Sequence, residues 1–180
     1  MKVFQTGIKD CVVIEPSVFG DQRGFFLETF QASRYAELAN INLPFVQDNH
    51  SRSTRGVLRG LHFQVRRPQG KLVRVVRGEV FDVAVDLRRD SPTFGLWHGV
   101  ILNEENKRQF WVPPGFAHGF LVLSELADFE YKCTDYYAPD DEGVILWNDP
   151  DLAIDWPGGL EIQLSDKDAS ASGFKEFCQS

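Results

Sequence analysis

Apolar residues in this chain recur at alternate positions far more often than at helical spacing. The clearest stretch is 79–87, where Phe81, Val83, Val85 and Leu87 share one face and Asp82 and Asp86 lie on the other. That period of two is the mark of a strand with one buried face. Segments of similar character are predicted as strands at 11–16, 24–30, 45–51, 57–64, 71–76, 96–102, 108–112, 120–124 and 127–134. Turn signals separate them, among them 19–24, Arg77-Gly78-Glu79 and 90–95. Helical spacing is clearest at 31–39, where Tyr35, Leu38 and Ala39 fall on one face, and a short helix is expected near 174–177 in an otherwise irregular tail after Asp149. Many short strands with turns between them predict an all-β sandwich or barrel carrying a few short helices.

At 180 residues the chain is expected to form one domain, residues 1–180, with a sizeable core. An aromatic content of 13%, with 15 phenylalanines, favours packed strands over long helices. The net charge of -7 argues against a nucleic-acid partner, while a nucleotide ligand needs only local cations. The first residues lack the apolar core and cleavage site of a signal peptide, and no run reaches the length of a membrane span. Cys11, Cys133 and Cys178 are scattered without metal-ligand spacing, which fits reduced thiols and a cytoplasmic location.

Two segments carry the candidate chemistry. Arg59-Gly60-Leu61-His62-Phe63-Gln64 places a histidine near a cation on a strand, and Trp111-Val112-Pro113-Pro114-Gly115-Phe116-Ala117-His118 delivers a second histidine through a proline-glycine turn. Histidines presented on short strands build the mouth of a cupin-type jelly-roll β-barrel, the fold expected here. A metal there needs three or four ligands. Gln64 stands two positions after His62, and Pro68, Gln69 and Gly70 occupy the place of a carboxylate, so no metal and no other cofactor is expected. His62 is then either a structural histidine or a proton-transfer group. Strict alternation sets Arg59 and His62 on opposite faces, and a bulge at Gly60 would bring both to one pocket.

Arg23-Gly24-Phe25-Phe26-Leu27-Glu28, Gln47-Asp48-Asn49-His50-Ser51, the Arg59 to Gln64 segment, Gln69-Gly70-Lys71-Leu72-Val73, Tyr131-Lys132 and Leu164-Ser165-Asp166-Lys167-Asp168 occur in this order. In these blocks the chain resembles the dTDP-4-dehydrorhamnose 3,5-epimerase family, from about residue 4 to residue 168. The resemblance implies inversion of C3 and C5 of dTDP-4-dehydro-6-deoxy-D-glucose in dTDP-L-rhamnose biosynthesis. Such a reaction needs a base, a cation or donor for the enolate oxygen, and an acid on the far face of the ring. By resemblance His62 is the base, Asp168 its orienting carboxylate, Lys71 the enolate stabiliser and Tyr131 the acid. Arg23 and Arg59 suit the diphosphate because guanidinium forks fit phosphate oxygens. Phe26, Glu28, Gln47, Asp48, Asn49, His118, Glu142 and Lys167 match family ligand-contacting positions, and of Tyr136 and Tyr137 one, taken as Tyr137, lines the sugar pocket. The resemblance also implies a homodimer in which an N-terminal strand reaches the partner. Competing readings are a single-centre epimerase or ketoisomerase of a related keto sugar, a non-catalytic sugar-nucleotide-binding cupin, and a metal-dependent oxygenase. The presence of Lys71 and Tyr131 argues against the second and Gln64 against the third.

Overall fold

The computed structural model describes residues 1–179. Strands β1 (Lys2–Gln5), β2 (Val12–Glu15), β3 (Val18–Asp21) and β4 (Gly24–Leu27) precede helix α1 (Ala32–Ala39). Then follow β5 (Gln47–Thr54), β6 (Leu58–Gln64), β7 (Lys71–Arg77), β8 (Glu79–Asp86), β9 (Trp97–Asn103), β10 (Gln109–Val112), β11 (Phe116–Val122), β12 (Leu126–Cys133) and β13 (Glu142–Val144). Two short helices, α2 (Asp166–Ala169) and α3 (Phe174–Gln179), lie in the C-terminal segment. Each predicted strand and helix is present with shifted ends, and β1, β3, β13 and α2 are additional. The predicted turn at 19–24 is shorter than expected, because β3 and β4 pair as a hairpin with Asp21 opposite Gly24.

The strands form two antiparallel sheets, β1-β2-β10-β7-β12-β5 and β13-β6-β11-β8-β9, with the β3–β4 hairpin separate. This is the jelly-roll arrangement of a cupin-type barrel. Val73, Val75, Phe110 and Phe129 from the first sheet pack on Val80, Ala84, Phe120 and Val122 from the second to form the inner core. The outer face of the first sheet is covered by α1, whose Tyr35 and Ala39 pack on Val12, Ile14, Leu72 and Trp111. Gln31 caps α1 by accepting from the Arg34 amide at 2.7 Å. Leu38, expected on the buried face, is 48% exposed, since the helix presents only Tyr35 and Ala39 to the sheet.

The C-terminal segment covers the outer face of the second sheet, where Ile154, Trp156, Phe174 and Phe177 pack on Leu61, Val83, Val85 and Ala117. Single bridges between Val57 and Gln163 and between Ile145 and Ser172 fasten this strap to the barrel. Its presence inverts the expected solvent side of β8. The apolar face carrying Val83 and Val85 lies under the strap, and Asp82 and Asp86, on the face that looked polar, are completely buried. Burial alone would raise the Asp86 carboxyl, but hydrogen bonds from Arg88, Ser91 and Thr93 overcome it and hold its pKa at about 2. Asp82 points into the barrel toward His118.

Candidate active site

A cavity of about 310 Å³ opens between the two sheets, at the lower end of the range for small-molecule sites. Strand β6 supplies Arg59 and His62 to it, β11 supplies His118, and Phe116, Phe120 and Phe129 form an apolar floor. The expected bulge lies at Gly60. His62 opposes His118 and Arg59 opposes Phe120, so one extra β6 residue is inserted and both side chains reach the same cavity. A Cβ on Gly60 would sit 2.6 Å from Gly119 Cα, and one on Gly119 would sit 2.7 Å from the Arg59 carbonyl oxygen. Only glycine at both positions allows this approach, and Gly60 has the positive φ of 128° as well.

The His62 Nε2 lies 2.6 Å from Asp168 Oδ1. Asp168 is 3% exposed and sits on α2, whose N-cap Ser165 accepts from the Asp168 amide at 3.1 Å. A carboxylate only accepts, so the shared proton belongs on Nε2 and Nδ1 presents its lone pair. Asp168 thus stands buried against the imidazole, in the position expected of an orienting carboxylate. Burial lowers the His62 pKa below the ordinary histidine value, and the hydrogen bond and charge of Asp168 pull it back only in part. The imidazole is thus a neutral base near neutral pH.

Lys71 and Tyr131 come from β7 and β12 of the facing sheet. Burial pushes the Lys71 ammonium below its usual value, against the opposing charges of Cys133, Glu142 and Asp82. Burial raises the Tyr131 phenol, with Arg59 acting against it. Among the described residues neither Lys71 Nζ nor the Tyr131 hydroxyl has a protein hydrogen-bond partner, so both remain available to a ligand. His118 is committed differently, with Nε2 at 2.9 and 3.0 Å from the two Asp82 oxygens.

At the mouth Glu142 accepts from the Tyr137 hydroxyl at 2.8 Å and from the Lys167 ammonium. Burial would raise the Glu142 carboxyl, but these two donors outweigh it and lower its pKa. Tyr137 lines the cavity, whereas Tyr136 is exposed and does not. The loop carrying both tyrosines is held by glutamines. Gln47 accepts from the Tyr137 amide at 3.0 Å, and Gln64 accepts from the Ala138 amide at 3.0 Å while donating to the Arg67 carbonyl at 2.7 Å. Gln64 thus has a structural task where a metal ligand would stand. Among the described residues no cluster of three or more His, Cys, Asp or Glu side chains is placed to hold a metal ion.

Four expected ligand contacts lie elsewhere within one chain. Arg23 sits at the β3–β4 turn with its side chain 90% exposed and paired to Asp21 at 2.5 Å, and Phe26 is 69% exposed. Glu28 pairs with Arg34 beside α1. Asp48 projects from the outer face of β5, where it accepts from Lys132 at 3.0 Å, because alternation sends Gln47, Asn49 and Ser51 to the cavity instead. Arg23 and Phe26 are therefore absent from the lining of the cavity that holds His62.

The family described as dTDP-4-dehydrorhamnose 3,5-epimerase matches residues 5–176 of the chain. The chain belongs to this family. An enzyme of that name from Pseudomonas aeruginosa is 58% identical over 98% of this chain and 97% of its own length. A Legionella pneumophila dTDP-6-deoxy-D-glucose-3,5-epimerase solved with dTDP-4-keto-L-rhamnose superposes with a TM-score of 0.94 at 62% identity, over 97% of this chain and 93% of that one. A 3′-monoepimerase from Streptomyces bikiniensis, solved with dTDP-quinovose, shares the architecture at a TM-score of 0.87 and 35% identity, covering 93% of this chain and 85% of that one. An enzyme described as a monoepimerase therefore shares this backbone with one described as a 3,5-epimerase.

Three site features escaped the sequence reading. Asp82 was assigned to a face, not to His118, because nothing local reveals that both faces of β8 are covered. The glutamine clamp joins residues distant in the chain and leaves no pattern. Helix α2, by contrast, had a legible sign: Ser165-x-x-Asp168 is a capping sequence.

Proposed function

We propose that this chain inverts C3 and C5 of dTDP-4-dehydro-6-deoxy-D-glucose, forming dTDP-4-dehydro-L-rhamnose by metal-free acid/base enolisation. The observation that carries this reading is the arrangement across the cavity. The His62–Asp168 pair stands on one wall, and Lys71 and Tyr131 stand on the facing wall with uncommitted polar atoms. His62 Nδ1 removes the proton next to the ketone, and Asp168 stabilises the imidazolium. Lys71 neutralises the enolate oxygen in a partly desolvated site, where a fixed cation acts most strongly. Tyr131 returns a proton from the opposite side, which makes each transfer an inversion. Arg59, Gln47, Asn49, His118, Tyr137, Glu142 and Lys167 are assigned to the sugar nucleotide, the mouth residues to its nucleotide end.

In the same reading residues 1–180 are one domain and the enzyme is a homodimer. The hairpin exposes Val18, Phe19, Phe25 and Phe26 together, an apolar patch that a second copy would cover, bringing Arg23 and Phe26 to the partner's cavity. A cytoplasmic location accords with three free cysteines and with the absence, among the described residues, of a helix long and apolar enough to cross a membrane. Proton NMR of the substrate in deuterated water tests the activity: both the C3 and C5 signals are expected to disappear. Loss of one signal alone would establish a single-centre enzyme, and loss of neither a binding protein. Activity regained only when a divalent metal is added to chelated, inactive protein would overturn the metal-free mechanism.

A further inference from the structure

Two inversions on one substrate create a proton problem that His62 and Tyr131 do not solve by themselves. After the first inversion His62 carries an extra proton and Tyr131 has lost one. Both must be reset before the second can begin. A nucleotide occupying the mouth obstructs the direct path of water to His62, and Asp168 is no outlet, being buried and bonded to the other ring nitrogen.

Glu142 is placed where an outlet is needed. Strand β13 pairs with β6 so that Val144 opposes His62 and Glu142 opposes Gln64, which sets Glu142 beside the base. Its Oε1 lies 3.9 Å from His62 Nδ1, the nitrogen left free by Asp168. Its Oε2 accepts from Tyr137 and Lys167, whose side chains are about half exposed at the rim. One carboxylate thus joins the base inside to solvated groups outside.

We propose that Glu142 relays the proton from His62 Nδ1 to water between the two inversions. The inference rests on the double inversion proposed above. The N–H bond at Nδ1 breaks as an O–H bond forms at Oε1, leaving neutral imidazole and a carboxylic acid. The acid then gives its proton to water, while water protonates the Tyr131 phenolate. The hydronium and hydroxide formed neutralise each other, so the cycle has no net proton change. The approach from 3.9 Å to the roughly 2.8 Å of a charge-assisted hydrogen bond is favoured once His62 is cationic and Lys167 turns to the diphosphate. The other charged or titratable groups facing His62 are Asp168 from α2, Lys71 from β7, Arg59 from β6, Tyr131 from β12 and the His118–Asp82 pair from β11 and β8. Of these, Asp168 and Asp82 are carboxylates, and both are buried and committed to a histidine.

Glu142→Gln keeps the size and an acceptor for Tyr137 but cannot carry the proton. With this variant the ratio of doubly to singly inverted product should fall by about 10²-fold, the effect of losing one proton-transfer group. Glu142→Asp, which restores a carboxylate at shorter reach, should recover part of the ratio. An unchanged product ratio would overturn the relay. NMR titration of His62 in ligand-free protein supplies a measure independent of turnover: Glu142→Gln should make His62 titrate at lower pH. An unmoved titration would overturn the relay even if the protein proved to invert one centre or none, results that count against the double-epimerase reading itself.

Discussion

Lys71 is where stability and activity should move in opposite directions. Its ammonium is part-buried at the cavity wall, has no protein acceptor among the described residues, and has a pKa lowered by burial. Lys71→Met keeps most of the side-chain volume and removes the charge. As a fixed cation at the enolate oxygen, Lys71 is expected to contribute about 10²–10³ in kcat, or about 2.7–4 kcal/mol. As a desolvated donor without a partner it should destabilise the empty protein by about 1–3 kcal/mol. The methionine variant should therefore gain several degrees in Tm, at about 2–4 °C per kcal/mol for a chain of this length. The sign of the pH dependence follows from linkage. A lysine whose folded-state pKa lies below its unfolded value penalises folding fully below the folded-state pKa, and the penalty fades as pH rises toward the unfolded value. The Tm advantage should thus be full below the folded-state pKa of Lys71 and shrink as pH approaches 10.5. Paired thermal melts and kcat measurements decide the matter. A variant with undiminished kcat would remove Lys71 from the chemistry, and one that loses Tm would show that the ammonium is a structural support.

Tyr131→Phe should still exchange deuterium at the substrate through His62 while inversion falls by about 10²–10⁴-fold, as NMR in deuterated water would show; undiminished inversion would move the acid elsewhere. Asp168→Asn should lower exchange and inversion together. It also removes the pull that partly offsets burial, so the acidic limb of the kcat/KM profile should shift to lower pH; a shift upward would contradict the assignment. Gly60→Ala should destabilise the protein by about 1–3 kcal/mol in denaturant unfolding, because its Cβ meets Gly119 at 2.6 Å and its φ of 128° disfavours a side chain.

Among the described residues, ten of the thirteen strands were legible because alternation and turn residues are local properties, and the blocks around His62, Lys71 and Tyr131 were legible through resemblance. The need for a bulge between Arg59 and His62 was also readable, since alternation alone separates them. What failed to show depends on distant coverage. Asp82 and Asp86 looked solvent-facing until the strap buried the opposite side of β8. Asp168 was legible only through resemblance, because no sequence pattern brings α2 against β6. Arg23, Phe26 and Glu28 were readable as family positions but not as members of this cavity, since a hairpin's direction is not written in its residues.

The strap that supplies Asp168 also covers the apolar outside of the second sheet. Under the proposed chemistry, quality control and catalytic competence are therefore joined in one segment. A molecule with the strap displaced would expose Leu61, Val83, Val85 and Ala117 at the moment it lost the partner of its base. Such a molecule is marked for aggregation or degradation. An inert species that still sequesters sugar nucleotide has little opportunity to accumulate.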